Sequence, residues 1–289
     1  MTPIILGSAQ FGMHYGVSND KGVVTPAEVR AILDLARKNS FASIDTAGSY
    51  GVAEQVLGDV GVTDFKITTK IPKISKSKGT KSVIDTMLCS VKNSCERLNV
   101  KSCSGVLVHD CGDLLGKYGN EVVKGLKLLR ELGWCDRVGV SVYHPEQLLR
   151  SMKKLDLDVV QFPLSVVDRR FLAGGLLERL REKGVELQAR SIFLQGLLLS
   201  KSSQKSSYFS RWESLWKCWE LVQLEAGVTP AEICINYISG LGLVDGMVVG
   251  VDSPSQYRQL LDCREVDMRQ VDLSGVNCLD LALVDPTRW

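Results

Sequence analysis

Short apolar runs alternate with longer amphipathic stretches from one end of this chain to the other. The runs lie at Ile4–Ser8, Ala42–Thr46, Phe65–Lys70, Gly105–His109, Arg137–Tyr143, Val159–Leu164, Glu186–Ile192 and Met247–Asp252, and many of their residues are β-branched. Apolar character over so short a span is what a strand buried on both faces shows. Between the runs the spacing turns helical. Thr25-Pro26-Ala27-Glu28 reads as an N-cap, a proline in the first turn and an early acid, followed by Val29, Ile32, Leu33, Leu35 and Ala36. Further helices are predicted over Ala53–Leu57, Ser82–Leu98, Glu121–Leu132, Pro145–Leu155, Phe171–Lys183, Trp212–Ala226, Pro230–Ile238 and Pro254–Leu261. A strand–helix unit therefore recurs about eight times with no break in composition, as in the (β/α)8 TIM barrel. Parallel strands need such crossovers, and eight of them can close on themselves instead of leaving open edges. The competing open sheet announces itself by G-x-G-x-x-G after its first strand, and Gly7-Ser8-Ala9-Gln10-Phe11-Gly12 does not match. The expectation is an α/β protein, one (β/α)8 barrel over residues 1–289.

Composition narrows the function classes. The 289 residues are 45% apolar and 24% charged, and 35 basic against 33 acidic residues leave a net charge of +2. That balance carries no footprint for nucleic acid or a membrane surface. No apolar run approaches the roughly 18 residues of a membrane helix, and Met1-Thr2-Pro3-Ile4-Ile5 lacks the features of a signal peptide; a cytoplasmic protein is expected. Nine cysteines occur without a C-x-x-C pair, beside three histidines. They read as reduced thiols, several buried as small hydrophobes, and not as a zinc site. Cys111 is the one weighed as a nucleophile, because polar groups neighbour it.

Ionisable side chains stand at the ends of successive strand-like runs. The second run leads into Asp45 and Tyr50, the third ends in Lys70 and the fourth in His109. In a barrel these ends surround one opening, the face on which active sites form. Each residue alone has a bland explanation: a helix cap, a lysine reaching solvent, a satisfied core histidine. Together they make chemical sense. A buried lysine beside a tyrosine stabilises the phenolate and lowers a phenol pKa, an aspartate keeps that lysine charged, and an imidazole positions a carbonyl oxygen. The tyrosine can then donate a proton to an oxygen becoming an alkoxide. No side chain supplies a hydride, so a nicotinamide is implied.

At this point the sequence resembles the aldo-keto reductase family. Asp45, Tyr50, Lys70 and His109 look like its catalytic tetrad, Leu6-Gly7-Ser8-Ala9-Gln10-Phe11-Gly12 resembles its first strand, and the order holds over essentially the whole chain. Leu283–Trp289 is similar to bacterial members, some of them found with sugar or polysaccharide pathways. The resemblance implies NAD(P)H-dependent reduction of an aldehyde or ketone, or the reverse oxidation of an alcohol or sugar. Tyr50 would be the general acid, tuned by Lys70 and Asp45, with His109 orienting the carbonyl.

It also implies a cofactor site. Gly12 and Met13 follow the first strand; Ser141 and Gln161 match the residues that hold the nicotinamide carboxamide, although Val142 replaces an amide-binding asparagine. Arg190 stands where the family stacks an aromatic ring on the nicotinamide, and a planar guanidinium can also stack. Ser191 and the Gly196-Leu197 backbone would cradle the pyrophosphate. The adenosine end falls at Gly250, Asp252 and Ser253, with Gln256 and Gln259 on the helix behind, whose free N–H groups form an anion site. Gly250 and Gln256 occupy places where relatives clamp a 2′-phosphate with cations. NADPH is therefore expected, with a weakened preference that admits NADH.

Other features change the picture less. Two loops, Pro72–Lys81 and Ser200–Ser210, are rich in lysine and read either as solvated loops or as flaps over an anionic ligand. Lys73, Lys76, Lys78 and Lys81, with Arg190 deeper, raise the idea of an anionic carbonyl substrate. Trp212, Trp216 and Trp219 share a helical face and read as packing, or as lining of the substrate mouth. His14 and Tyr15 read as turn residues or as substrate contacts, His144 as structural. The partner expected is a small carbonyl or sugar. Two rival functions are a nicotinamide-binding regulatory subunit with little turnover, and a lyase or epimerase forming an imine at Lys70.

Overall fold

The computed structural model describes residues 1–39, 42–74 and 82–289. Eight parallel strands close into a barrel: β1 (Ile4–Gly7), β2 (Ser43–Asp45), β3 (Lys66–Ile71), β4 (Cys103–Val108), β5 (Cys135–Ser141), β6 (Val159–Pro163), β7 (Glu186–Arg190) and β8 (Gly246–Gly250). Each strand pairs with the next, and β8 returns to β1, with Ile4 opposite Met247 and Gly7 opposite Gly250. The helices pack outside: α1 (Pro26–Lys38), α2 (Ala53–Val60), α3 (Val83–Leu98), α4 (Cys111–Leu115), α5 (Gly119–Glu131), α6 (Pro145–Ser151), α7 (Leu176–Glu182), α8 (Glu213–Ala226), α9 (Pro230–Leu241), α10 (Pro254–Leu261) and α11 (Leu281–Val284). The expected barrel is the observed one.

Local chemistry explains where helices start. Thr25 and Thr229 each close a capping box with the glutamate three residues on, and a proline follows each cap. The amphipathic face of α1 then buries Val29, Ile32, Leu33 and Ala36 against the barrel. One expected helix is interrupted. Over Phe171–Lys183 only Leu176–Glu182 is α-helical, because Gly174 and Gly175 take φ of +74° and +63° and turn the chain before α7 begins. The expected helix Pro145–Leu155 stops at Ser151. At every strand but β3 the apolar run continues one or two residues past the last paired position; pairing ends there while burial continues into the loop.

The barrel interior is not wholly aliphatic. Arg137 and Glu186 pair across β5 and β7, and Gln188 Nε2 donates to Glu186 Oε1 at 2.8 Å. Gln161, opposite Gln188 in the register of β6 and β7, donates from Nε2 to Gln188 Oε1 at 3.2 Å and to Asp45 Oδ1 at 2.7 Å. This polar thread ends at Asp45, which Gln161 thereby fixes in orientation.

Candidate active site

The C-terminal ends of β2, β3 and β4 bring Asp45, Lys70 and His109 to one rim, and the turn after β2 adds Tyr50. Lys70 is 2% exposed. Its ammonium donates to Asp45 Oδ2 at 2.5 Å, to the Thr46 carbonyl at 3.0 Å and to the Tyr50 hydroxyl at 3.3 Å. Three acceptors for three N–H groups satisfy it fully. Burial pulls its pKa down, but the Asp45 carboxylate and the Tyr50 hydroxyl outweigh that and hold it above the ordinary lysine value. An amine so held stays protonated, which argues against an imine at Lys70.

Tyr50 behaves differently from the expectation. Burial raises its phenol above 10, and the pull of Lys70 downward is offset in part by Asp45. The group is therefore a protonated donor at neutral pH, with the lysine moderating a rise caused by desolvation. His109 faces the Tyr50 ring edge-on, with centroids 5.8 Å apart and planes at 83°. Burial and the Lys70 charge lower its pKa to about 4, so the imidazole is neutral. Its Nδ1 lies 3.3 Å from Ser49 Oγ.

The Tyr50 turn is held by backbone contact. Gly51 has φ of +56°, and a Cβ there would meet the Gly12 carbonyl oxygen at 2.0 Å; a Cβ on Gly12 would meet the Tyr50 carbonyl oxygen at 2.0 Å. The loop after β1 and the Tyr50 turn thus approach as only two glycines allow. Behind them Glu54, 2% exposed, accepts from Thr69 Oγ1 at 2.6 Å and pairs with Arg97.

A cavity of about 370 Å³ opens on this rim and runs along the mouth of the barrel toward β8 and α10. Asp45, Tyr50, Gln161, Arg190 and Ser191 line one end. Gly250, Asp252, Gln256 and Gln259 line the other, with Gly196 between. Lys70 and His109 stand behind or beside Tyr50. Ser141 is buried next to Gln161 in the β5–β6 register. Gly12 and Met13 are not on the wall; Gly12 packs against the Tyr50 turn instead. Leu197 is buried and off the wall, and Ser253 caps α10, its Oγ accepting from Gln256 N at 3.3 Å. Tyr15, read as a turn residue or a substrate contact, lines the cavity, as do Ser8, Gln10 and Gln195. Gln10, Gln188 and Glu54 join the site with no motif in the sequence to mark them. A polar residue inside a buried run (Gln188) and a glutamate one helical turn after Tyr50 (Glu54) were the available signals.

The wall suits a polar, elongated ligand. Ser8 Oγ and Asp252 Oδ1 are buried without a hydrogen-bond partner among the described residues, and both belong to the wall. Such groups are costly unless a ligand satisfies them. After β7 the backbone is contorted, with Ser191, Leu194, Gln195 and Gly196 all at positive φ; strain of this kind gathers at binding loops. In the basic loop Lys73 is paired with Asp110, and Lys76, Lys78 and Lys81 lie outside the described residues. In the second loop Lys205 donates to the Ser200 carbonyl and lies over Trp216, away from the cavity wall. Trp216 and Trp219 are core residues, as expected. Cys111 lies under the rim with its thiol pKa raised by burial, unlike a nucleophile. Among the described residues no group of side chains could hold a metal, and no helix is long and apolar enough to cross a membrane.

Comparison with known proteins gives the family and the fold. Residues 3–278 match the aldo/keto reductase family. The chain belongs to that family and is an oxidoreductase of the carbonyl-reducing kind. Among solved structures it is similar to the aldo-keto reductase AKR11C1 of Bacillus halodurans in its holo form, with TM-score 0.71, 18% identity, and coverage of 94% of this chain and 90% of that one. It is also similar to the glycerol dehydrogenase AKR11B4 of Gluconobacter oxydans, with TM-score 0.68, 18% identity, and coverage of 98% and 92%. At such identity these likenesses speak for the fold. A search of curated proteins returns no match.

Proposed function

We propose that this protein reduces a small aldehyde or ketone, or oxidises the corresponding alcohol or sugar, at the expense of a nicotinamide dinucleotide. The observation that carries the reading is the buried Lys70 ammonium spanning Asp45 and the Tyr50 hydroxyl on a cavity wall. When bound, the reduced nicotinamide supplies the hydride that no side chain can. The Tyr50 hydroxyl hydrogen-bonds the substrate carbonyl oxygen and gives up its proton as that oxygen gains charge. Lys70 stabilises the phenolate left behind, and Asp45, held by Gln161, keeps Lys70 in place. Neutral His109 donates to or orients the same oxygen without competing for the proton.

The unpartnered Ser8 and Asp252 oxygens support a dinucleotide along the cavity. Gln161 would hold its carboxamide with Ser141 beside it, Arg190 would face the ring, Ser191 and Gly196 would surround the pyrophosphate, and Gly250, Asp252, Gln256 and Gln259 would receive the adenosine, while Leu197 and Ser253 lie behind that wall. Gly12, packed against the Tyr50 turn, supports that wall from outside it. NADPH is the expected donor, with NADH accepted at a modest disadvantage, since Gly250 and Gln256 bring no cation to a 2′-phosphate. Nine free cysteines suit a protein working in the reducing cytoplasm. A panel of sugars, keto-sugars and aromatic aldehydes, followed by loss of reduced-nicotinamide absorbance, tests the reading. Stoichiometric oxidation by at least one carbonyl supports it; no turnover across the panel, with dinucleotide bound, overturns it.

A further inference from the structure

The catalytic end of the cavity carries an uncompensated positive charge. Arg190 is the one cation on the described wall. Its described partners are the Val142 carbonyl, 3.1 Å from Nη2, the Ser191 hydroxyl, 3.3 Å from Nη1, and the Tyr143 ring, 4.1 Å from Cζ to centroid. None is a carboxylate. Asp45, at the same end, is committed to Lys70, so that pair is neutral as a unit. Asp252, on the wall with Gly250 and Gln256, makes no ion pair with Arg190 among the described residues. The ring stack and the two oxygens fix the guanidinium in place without neutralising it. Its charge reaches the reacting groups: it pulls down the pKa of both Tyr50 and His109.

Chemistry places the nicotinamide at this end. Its hydride must reach the carbon whose oxygen is held by Tyr50, so the ring occupies the part of the cavity shared by Tyr50, Gln161, Arg190 and Ser191. The reduced ring is neutral, whereas loss of hydride leaves a positive charge on it. A fixed guanidinium nearby, in a cleft with little water to screen it, repels only the second form. We infer that Arg190 makes the protein bind reduced nicotinamide dinucleotide more tightly than oxidised, and so makes the bound reduced ring a weaker hydride donor, shifting the hydride-transfer equilibrium on the enzyme toward alcohol oxidation. The inference rests on the nicotinamide reading above and adds a direction to it. An arginine at this position is then not merely a substitute for a stacking surface; it acts on the redox equilibrium of whatever ring lies against it.

The test is equilibrium binding, which needs no substrate. The intact protein is titrated with NADPH and with NADP⁺, and with NADH and NAD⁺, by calorimetry. Wild type is expected to favour each reduced form by about tenfold or more, and each tenfold in that ratio raises the potential of the bound two-electron couple by about 30 mV. Arg190→Gln and Arg190→Tyr remove the charge and should bring the ratio down by about tenfold, whereas Arg190→Lys should keep most of it. Loss of stacking alone would weaken both forms together and leave the ratio unchanged. Equal ratios in wild type and both neutral variants overturn the inference while leaving the nicotinamide reading standing. A wild type that binds no dinucleotide overturns both.

Discussion

Tyr50 is protonated, buried and bonded to a charged lysine, and that combination sets a demanding expectation for a single oxygen atom. Tyr50→Phe removes the proton donor but leaves the cavity wall whole, so turnover should fall by several orders of magnitude with dinucleotide affinity nearly unchanged. Lys70→Met should act similarly on turnover, but it also strands Asp45 in the interior and should destabilise the fold, by about 3–5 kcal/mol if the broken buried pair behaves typically. Steady-state kinetics beside dinucleotide titration separates these effects; a Tyr50→Phe enzyme retaining most of its activity would sink the assignment. The pH profile is a second check. With His109 lowered to about 4 and Tyr50 raised above 10, neither changes charge between pH 6 and 9, so kcat/KM for reduction should show no step from them there. An inflection near 6.5 that disappears in His109→Gln would mean that the imidazolium participates. The same depression links to stability. Between about 4 and 6.5 the unfolded chain binds a proton at this histidine that the folded one does not, so the His109 contribution is complete above 6.5 and is lost as the pH falls toward 4. At this scale the four rim residues were legible because each ends or closely follows an apolar run. The direction of the Tyr50 shift was not, since it depends on how much water burial removes, and no spacing of letters reports that.

Elements place these residues, and the narrowest tolerance lies between the loop after β1 and the turn after β2. A methyl group on Gly12 would sit 2.0 Å from the Tyr50 carbonyl oxygen and 2.2 Å from the Ala53 nitrogen, so Gly12→Ala must move one backbone or the other. The expected cost is about 1–3 kcal/mol in stability, as for other overpacked sites. A tenfold or greater fall in kcat/KM should accompany it, because the displaced turn carries Tyr50. Gly240→Ala in α9 is the control: the nearest atom to its Cβ is at 4.0 Å, and the change should be neutral or stabilising by up to about 1 kcal/mol. Denaturant midpoints and initial rates on both variants decide the matter, and a fully active Gly12→Ala enzyme would show that the turn is not held there. Helix starts were readable because capping is local chemistry: Thr25 and Glu28 name their own roles. Helix α7 is shorter than its apolar spacing predicts, since that spacing runs on through Gly174 and Gly175, whose left-handed backbone breaks the helix without disturbing the pattern. The strained stretch after β7 was invisible for a related reason. Ser191, Leu194 and Gln195 are ordinary letters, and only the surrounding packing compels their positive φ.

For the molecule as a whole, the repeating strand–helix order was enough to predict closure, while the polar thread through the interior required the register that sets Gln161 opposite Gln188. Ligand binding should report on the closed state as a unit. A dinucleotide present at about 100 times its dissociation constant is expected to add about 2.7 kcal/mol to unfolding, provided the unfolded chain does not bind it. Thermal midpoints with and without NADPH measure this, and an unchanged midpoint at saturation would contradict it.

That protection has a particular anatomy. The barrel closes where Ile4–Gly7 lies along Met247–Gly250, joining stretches that are remote in sequence and must find each other against a large loss of chain freedom. The cavity straddles this seam: Gly7 and Ser8 supply wall on one side, Val249 and Gly250 on the other. A ligand lying across both would act as a clasp. Chains that have assembled only some of their strand–helix units would be blind to it, and the cofactor would recognise the protein only once the ring is shut.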